Sequence, residues 1–382
     1  MCAPTPARRG RTSPVVEFVF SPEQQDLRTG VREFLAKRSD EATVRRLMET
    51  DAGYDPATWA RLGGELGVLG LAVPEALGGA DGTLVDQAVV AEEFGAALLP
   101  GPVLGTVGLA VPALVAVGED VSEFVEGTRT AALAVPDRAG RFDPALVTVT
   151  ESGGALTGEV RHVVDGSADV LVVAARTADG VGLFAVQDAA RTPLSTLDQT
   201  RRQATVRFDA TPARLLAADA GPAVAHAFRV GAALLAAEQV GGAQRLLDLT
   251  VAYAGTRLQF GRPIGSFQAV KHRCADMLVL VEHARSTAYH AAWALDDASD
   301  DPDLAVSIAQ ATCSEAYQRV ALDTVQLHGG IGFTWEHATQ LYVKRAVTDA
   351  ALLGSATEHR EHIAAAVLDT AVSNGALVVA TG

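Results

Sequence analysis

An α+β chain built as three packed units, helical, then antiparallel β, then helical again, is the architecture this sequence predicts. Apolar residues recur at helical spacing to about Glu126, give way to short β-branched runs from about Thr128, and resume helical spacing near Pro222. The chain has 382 residues, 48% of them apolar, which is enough for more than one buried core. Segregated runs of helices and strands over this length predict a tail over 1–14 and units over 15–127, 128–221 and 222–382.

The elements follow in order. The first fourteen residues are basic, free of acids and rich in Pro and Ser, which reads as a disordered tail. Ser21, Pro22 and Gln24 supply an N-cap, a first-turn proline and a capping-box partner ahead of the stripe Leu27, Val31, Phe34 and Leu35. Trp59, Leu62, Leu66 and Leu69 continue the helical pattern, and a turn-rich stretch from Gly70 to Gly79 precedes a helix from about Val85 to Leu98. Strands are expected at Ala131–Val135, Ala145–Thr150, Ala155–Val160, Val170–Ala175, Val181–Val186 and Ala204–Phe208, divided by Gly, Asp and Ser clusters. Helices then run from Pro222 to about Thr370.

Composition excludes several functions. A net charge of −15 argues against a nucleic-acid or anionic-membrane partner. No apolar run suits a membrane span, because the most apolar stretch, Val224–Leu247, carries His226, Arg229, Glu238 and Arg245. Cys2, Cys274 and Cys313 have no metal or disulfide spacing, so a reducing cytoplasm is expected. No metal site is expected either: His359 and His362, at i and i+3, read as a solvated helix face.

The densest signal is Tyr253-Ala-Gly-Thr-Arg257-Leu-Gln259-Phe260-Gly261-Arg-Pro263-Ile264-Gly-Ser-Phe267-Gln268, with Ala275-Asp276-Met277 beyond it. It reads as helix, turn, helix, with Ser266 as the second N-cap. Arg257, at a helix end beside a glycine-led turn, offers a planar fork suited to phosphate oxygens, or else complements the helix dipole. A second segment is Gln326-Leu-His-Gly329-Gly330-Ile-Gly332-Phe333-Thr-Trp-Glu336, whose glycines let a backbone approach a bulky ligand.

Together with Phe18–Leu35, these segments resemble the acyl-CoA dehydrogenase family of flavoproteins over nearly the whole chain. The resemblance implies an N-terminal helical domain, a central antiparallel β-barrel and a C-terminal four-helix bundle that forms a tetramer. It implies FAD as cofactor and α,β-desaturation of an acyl-CoA thioester, with an electron-accepting flavoprotein downstream. Arg257, Gln259 and Phe260, with Gln326, Gly329 and Gly330, would contact the FAD of a neighbouring subunit. Three departures stand out. The two places where family members carry the catalytic glutamate are Leu353 and Gly231 here, and neither accepts a proton. The loop resembling the isoalloxazine-lining element is Ala134–Gly140, with its hydroxyl and carboxylate positions apolar. The pattern resembles partner subunits of actinobacterial heteromeric acyl-CoA dehydrogenases, some of which act on steroid side chains, so a homologous base-bearing partner is expected. The alternatives are a self-sufficient homotetramer with a relocated base, for which Glu238 is the weak candidate, and a silent scaffold.

Overall fold

The computed structural model describes residues 19–297 and 300–369, so the expected 1–14 tail, Cys2, Phe18 and the chain end from 370 lie outside the described residues. Helices α1 (Pro22–Ala36), α2 (Glu41–Met48), α3 (Pro56–Gly64), α4 (Leu84–Ala96), α5 (Val111–Ala116) and α6 (Ser122–Val125) form the first unit, with a π-helical segment at Val103–Ala110. The capping box closes as expected: the Gln24 amide nitrogen donates to the Ser21 hydroxyl at 3.2 Å, and Ser21 N–H donates to Gln24 Oε1 at 3.1 Å.

The second unit contains β1 (Ala131–Ala134), the hairpin β2 (Asp137–Arg138) and β3 (Arg141–Phe142), then β4 (Thr150–Ser152), β5 (Ala155–Val164), β6 (Val170–Arg176), β7 (Val181–Val186), β8 (Ala190–Pro193), β9 (Gln203–Pro212) and β10 (Arg214–Ala217). Eight of these form one sheet in the order β10-β7-β6-β4-β5-β9-β8, with β1 added on β6. The expected antiparallel barrel is therefore mixed, because β1 and β4 both run parallel to β6. The strand expected at Ala145–Thr150 opens as a 3-10 turn, Pro144–Leu146, nucleated where the Asp143 carboxylate accepts the Ala145 N–H at 2.9 Å, and only Thr150 enters a strand. Strand β6 explains its own unbroken apolar run. Val170, Val172 and Ala174 enter the core shared with the helices, while Leu171, Val173 and Ala175 enter the core enclosed by the sheet with Val206 and Phe208.

The third unit holds α7 (Gly221–Thr256), a short hairpin of β11 (Leu258–Gln259) and β12 (Arg262–Pro263), α8 (Gln268–Asp296), α9 (Pro302–His328), α10 (Thr339–Asp349) and α11 (Ala356–Ala364). Ser266 does not cap α8. It ends a 3-10 turn, Ile264–Ser266, so Phe267 becomes the N-cap and contributes no side-chain bond. No helix among the described residues is long and apolar enough to cross a membrane.

Helix α7 packs against α4, α8 and α9 and joins the first unit to the third. Two glycines make that possible. A Cβ on Gly95 would lie 1.9 Å from the Glu238 carbonyl oxygen, and one on Gly241 would lie 1.8 Å from that of Glu92, so α4 and α7 meet backbone to backbone. Gly241→Ala should destabilise the fold by about 2–3 kcal/mol in urea denaturation. Gly255→Ala, on the same helix with nothing within 4 Å of an added Cβ, should be neutral or stabilising by up to about 1 kcal/mol. Equal effects would refute the contact.

Two buried polar networks flank the crossing. In the first, Glu92 takes Arg28 at 2.9 Å, the Tyr289 hydroxyl at 2.5 Å and Arg285, tying α1, α4 and α8 together. It walls a cavity of about 860 Å³ that takes in Phe20, Arg28, Arg32 and Leu35 of the Phe18–Leu35 segment and no residue of the two glycine-bearing motifs. In the second, Glu238 of α7 accepts from Arg201, before β9, and from Arg345 of α10. Arg345 also meets Asp198 at 2.5 Å, and Arg201 lies 3.1 Å from Asp349. All five residues are at most 5% exposed. Burial pushes the Glu238 carboxyl upward, but Arg201 and Arg345 outweigh it and hold it below its usual range. Burial pushes Asp349 up to about 7, and neither of its carboxylate oxygens has a hydrogen-bond partner among the described residues.

Between the unfolded Asp value near about 4 and about 7, the folded state holds a proton on Asp349 that the unfolded state has lost. That group's contribution to stability therefore falls as pH rises through this window. Asp349→Asn should flatten this decline and lose less than about 1 kcal/mol near about pH 7. Glu238→Gln, which leaves two buried arginines under-compensated, should lose about 3–5 kcal/mol. A neutral Glu238→Gln, or an unchanged pH slope in Asp349→Asn, would count against this assignment.

Candidate functional site

Helix α7 gives way at Arg257 to a short hairpin whose turn takes left-handed backbone. Phe260 (φ 53°) and Gly261 (φ 76°) occupy the two central positions of a hairpin turn in which Leu258 pairs with Pro263 and Gln259 with Arg262. Arg257 is the C-cap, one residue past the helix, with extended backbone, and its carbonyl accepts the Ile264 N–H at 2.9 Å. The turn is braced from below, where the Arg262 guanidinium stacks 4.1 Å from the Phe267 ring centre. Phe260 is 90% exposed. A bulky residue held at positive φ and turned to solvent is a strained arrangement that the fold alone does not require.

The second motif ends α9. Gly329 (φ 64°, ψ −143°) leads into a 3-10 turn, Gly329–Phe333, which leaves Ile331 and Phe333 exposed. Tyr253 of α7 stacks on His328 of α9 with centroids 4.4 Å apart, and its hydroxyl donates to the His328 carbonyl at 3.4 Å. That contact brings both motifs to one end of the bundle. His328 itself is buried, its Nδ1 bonded to the Thr324 carbonyl at 2.8 Å.

This end is chemically open. Arg257, Gln259 and Gln326 are exposed, and no side-chain hydrogen bond or ion pair engages them among the described residues. A Cβ built on Gly261, Gly329 or Gly330 meets nothing within 4 Å. An unpaired guanidinium, two free amides and a glycine surface fit the phosphates and edges of a dinucleotide such as FAD.

The other end is closed. Leu353 is buried with φ 54°, and its carbonyl accepts from His359 Nε2 at 2.8 Å. The β2–β3 hairpin rests on it so closely that a Cβ on Gly140 would lie 2.1 Å from the Leu353 oxygen. Ala134 is fully buried and Val135 half-buried, so the loop presents no donor at those positions. Gly231 faces the π-helical segment, where an added Cβ would lie 2.6 Å from Leu109 Cδ2 and 3.0 Å from the Gly108 carbonyl oxygen. The cavity alongside, between Gly108, Leu234 and Glu238, holds about 10 Å³. Glu238 is locked in the buried cluster. Glu336 and Glu358 are exposed, the latter serving as the capping-box partner of Ser355.

Sequence reasoning passed over several groups. Arg201 and Arg345 carried no local signal, because Asp349 and Asp198, with which they pair, lie in distant parts of the chain. His359 was expected on a solvated face but is buried, drawn in by its bond to the Leu353 carbonyl. Among the described residues there is no metal-ligating cluster, and Cys274 and Cys313 are free thiols.

Residues 21–123 match the acyl-CoA dehydrogenase N-terminal domain family, and residues 220–368 match the acyl-CoA dehydrogenase C-terminal domain family. The chain is 40% identical to acyl-CoA dehydrogenase IpdE2 of Mycolicibacterium smegmatis, over 91% of this chain and 100% of that protein. It is 39% identical to IpdE2 of Mycobacterium tuberculosis, over 88% and 94%. Among solved structures, it superposes on the ChsE4–ChsE5 complex of Mycobacterium tuberculosis with a TM-score of 0.81 at 29% identity, over 94% of this chain and 99% of that one. A variant of the Tcur3481–Tcur3483 steroid ACAD gives 0.80 at 28% identity, over 92% and 99%. With both helical domains matched and the open glycine-rich end in place, the chain is a member of the acyl-CoA dehydrogenase family of FAD-dependent oxidoreductases.

Proposed function

We propose that this chain acts within a heteromeric acyl-CoA dehydrogenase, as the subunit that completes the FAD site of a homologous partner bearing the catalytic glutamate. The observation that carries this reading is the contrast between its two ends. Arg257, Gln259, Phe260, Gln326, Gly329 and Gly330 stand open together, while Leu353 and Gly231 offer no base and pack against neighbours. FAD, when bound, supplies the hydride acceptor for α,β-desaturation of the acyl-CoA thioester. Arg257 would hold the pyrophosphate through charge-assisted bonds, and the Gly329–Gly330 backbone would admit the dinucleotide without a Cβ in the way. The likeness to the ChsE4–ChsE5 complex and to a steroid ACAD supports a heteromer and a thioester with a bulky polycyclic acyl group. Electrons would pass on to an acceptor flavoprotein.

A relocated base at Glu238 is disfavoured on physical grounds. Its carboxylate is 5% exposed and already accepts from two guanidiniums, which lowers its affinity for a proton. Restoring a glutamate at Gly231 would require displacing Leu109.

Assembly gives the test. Leu278 and Leu322 are 48% and 62% exposed on α8 and α9, a surface suited to another subunit, whereas Leu234, Leu235, Val240 and Val320 are buried within this one. Expressed alone, the chain should carry little flavin and turn over no acyl-CoA. Co-expressed with a base-bearing homologue, it should form a mixed complex with about one FAD per pair of subunits, measured by intact mass and flavin absorbance. A flavin-saturated, active single-chain preparation would overturn the proposal.

The retained half-site is tested separately. Arg257→Ala removes an exposed, unpaired side chain, so the melting temperature of this subunit should hold while FAD affinity of the complex falls about ten- to a hundredfold. Unchanged flavin stoichiometry on dilution would count against the role given to Arg257.

A further inference from the structure

The guanidinium of Arg257 and the backbone of Gly329 and Gly330 come from different helices, so something must set the distance between them. One turn below, the buried Thr250 hydroxyl of α7 donates to the Thr324 hydroxyl of α9 at 3.1 Å. Next comes the Tyr253–His328 stack, with its ring planes 20° apart. His337, ahead of α10, adds a third ring 4.6 Å from His328 and tilted by 54°. Each ring is tied to backbone beside a motif residue. The Tyr253 carbonyl accepts the Arg257 N–H at 2.8 Å. His328 directly precedes Gly329, and its Nδ1 bond to the Thr324 carbonyl fixes the ring on α9. His337 Nδ1 accepts the Thr339 N–H at 3.3 Å, and Gln340 Nε2 donates to the Gly332 carbonyl at 3.1 Å, which pins the 3-10 turn from the α10 side.

The turn closes onto this stack with one glycine and leaves two open. A Cβ on Gly332 would lie 2.8 Å from His328 Cβ, whereas one on Gly329 or Gly330 meets nothing within 4 Å. Burial holds the His328 imidazole below its ordinary pKa against the opposing Thr324 bond, so near about pH 7 the ring is neutral and offers a phosphate no charge. Its contribution is geometric. We infer that Tyr253, His328 and His337 are positioning residues for the flavin, a three-ring brace that holds Arg257 at a fixed distance from the Gly329–Gly330 backbone so that one dinucleotide reaches both. This inference rests on the FAD half-site proposed above and names what sets its spacing. Two contacts on one ligand tolerate a mismatch of only about half an ångström, and stacked rings tied to both helices hold that tolerance where freely rotating side chains would not.

A double-mutant cycle on the mixed complex tests this, with the flavin-stripped complex titrated with FAD. Tyr253→Leu, which fills the space of a half-buried side chain without a ring, should weaken FAD binding about tenfold. Tyr253→Phe keeps the ring and loses only a 3.4 Å hydrogen bond, so it should stay within about threefold of the parent. His337→Leu should weaken binding at least about threefold. On an Arg257→Ala background, Tyr253→Leu should add less than about threefold, because the guanidinium it positions is gone. A Tyr253→Leu complex that binds FAD normally, a Tyr253→Phe complex as damaged as Tyr253→Leu, or fully additive losses on the Arg257→Ala background would overturn the brace while leaving the half-site standing. An Arg257→Ala complex with unchanged FAD affinity would overturn the half-site and the brace together.

Discussion

Helix α7 is the constraint on which the rest depends. Its 36 residues span about 54 Å at helical rise, far enough to cross the bundle from the β domain to the open end that carries Arg257. Two things fix where it lies. Gly95 and Gly241 let it touch α4 without intervening side chains, and Glu238 is held by guanidiniums arriving from the loop before β9 and from α10. The first sets the distance between helices; the second sets rotation and register, since a charge buried this deeply tolerates little displacement from its partners. A helix so held transmits a fixed geometry to both ends, one lined by Gly231 and Leu109, the other bearing the Phe260–Gly261 turn.

The two ends differ in the physics they present. At the open end, polarity is left unsatisfied: a free guanidinium, two exposed amides, glycines with vacant space above them and a phenylalanine at positive φ. Water can solvate the polar groups, but the strained backbone and exposed aromatic surface are stabilised only when something covers them. At the closed end every relevant position is apolar and packed, and a carboxylate placed there would have to be desolvated against Leu109 with no donor offered to it. One end leaves polar groups and glycines open, and the other does not.

The sequence carried the fold and the open end because both are local. The capping box at Ser21 and the helical period after Pro222 depend on neighbours within one or two turns, and so does the Phe260–Gly261 turn. The hairpin β2–β3 and the strands β8 and β10 went unforeseen, since strands of two to four residues with exposed side chains have no period to detect. Ser266 has the chemistry of a cap but loses to the 3-10 turn preceding Phe267. The Glu238 cluster, the pairing of Gly95 with α7 and the burial of His359 were beyond reach for a different reason. Each depends on residues brought together from distant parts of the chain, and side chains of identical type elsewhere in this sequence, such as Glu336, stand in water.

Covering the open end has a thermodynamic consequence if the chain completes a partner's site. Phe260 and Phe333 are 90% and 79% exposed, and burying each would contribute about 1.5–3 kcal/mol. Arg257 adds a charge-assisted contact that exists only when a phosphate is present. Partner and cofactor then occupy adjoining parts of one surface, so binding of either orders the turn that the other needs. By linkage, whatever factor assembly adds to FAD affinity, FAD must return to assembly. The strain at Phe260 is therefore more than a flaw tolerated by the fold: a turn that was fully satisfied in the free subunit would have less to gain from the complex, and the coupling between subunit association and flavin binding would weaken with it.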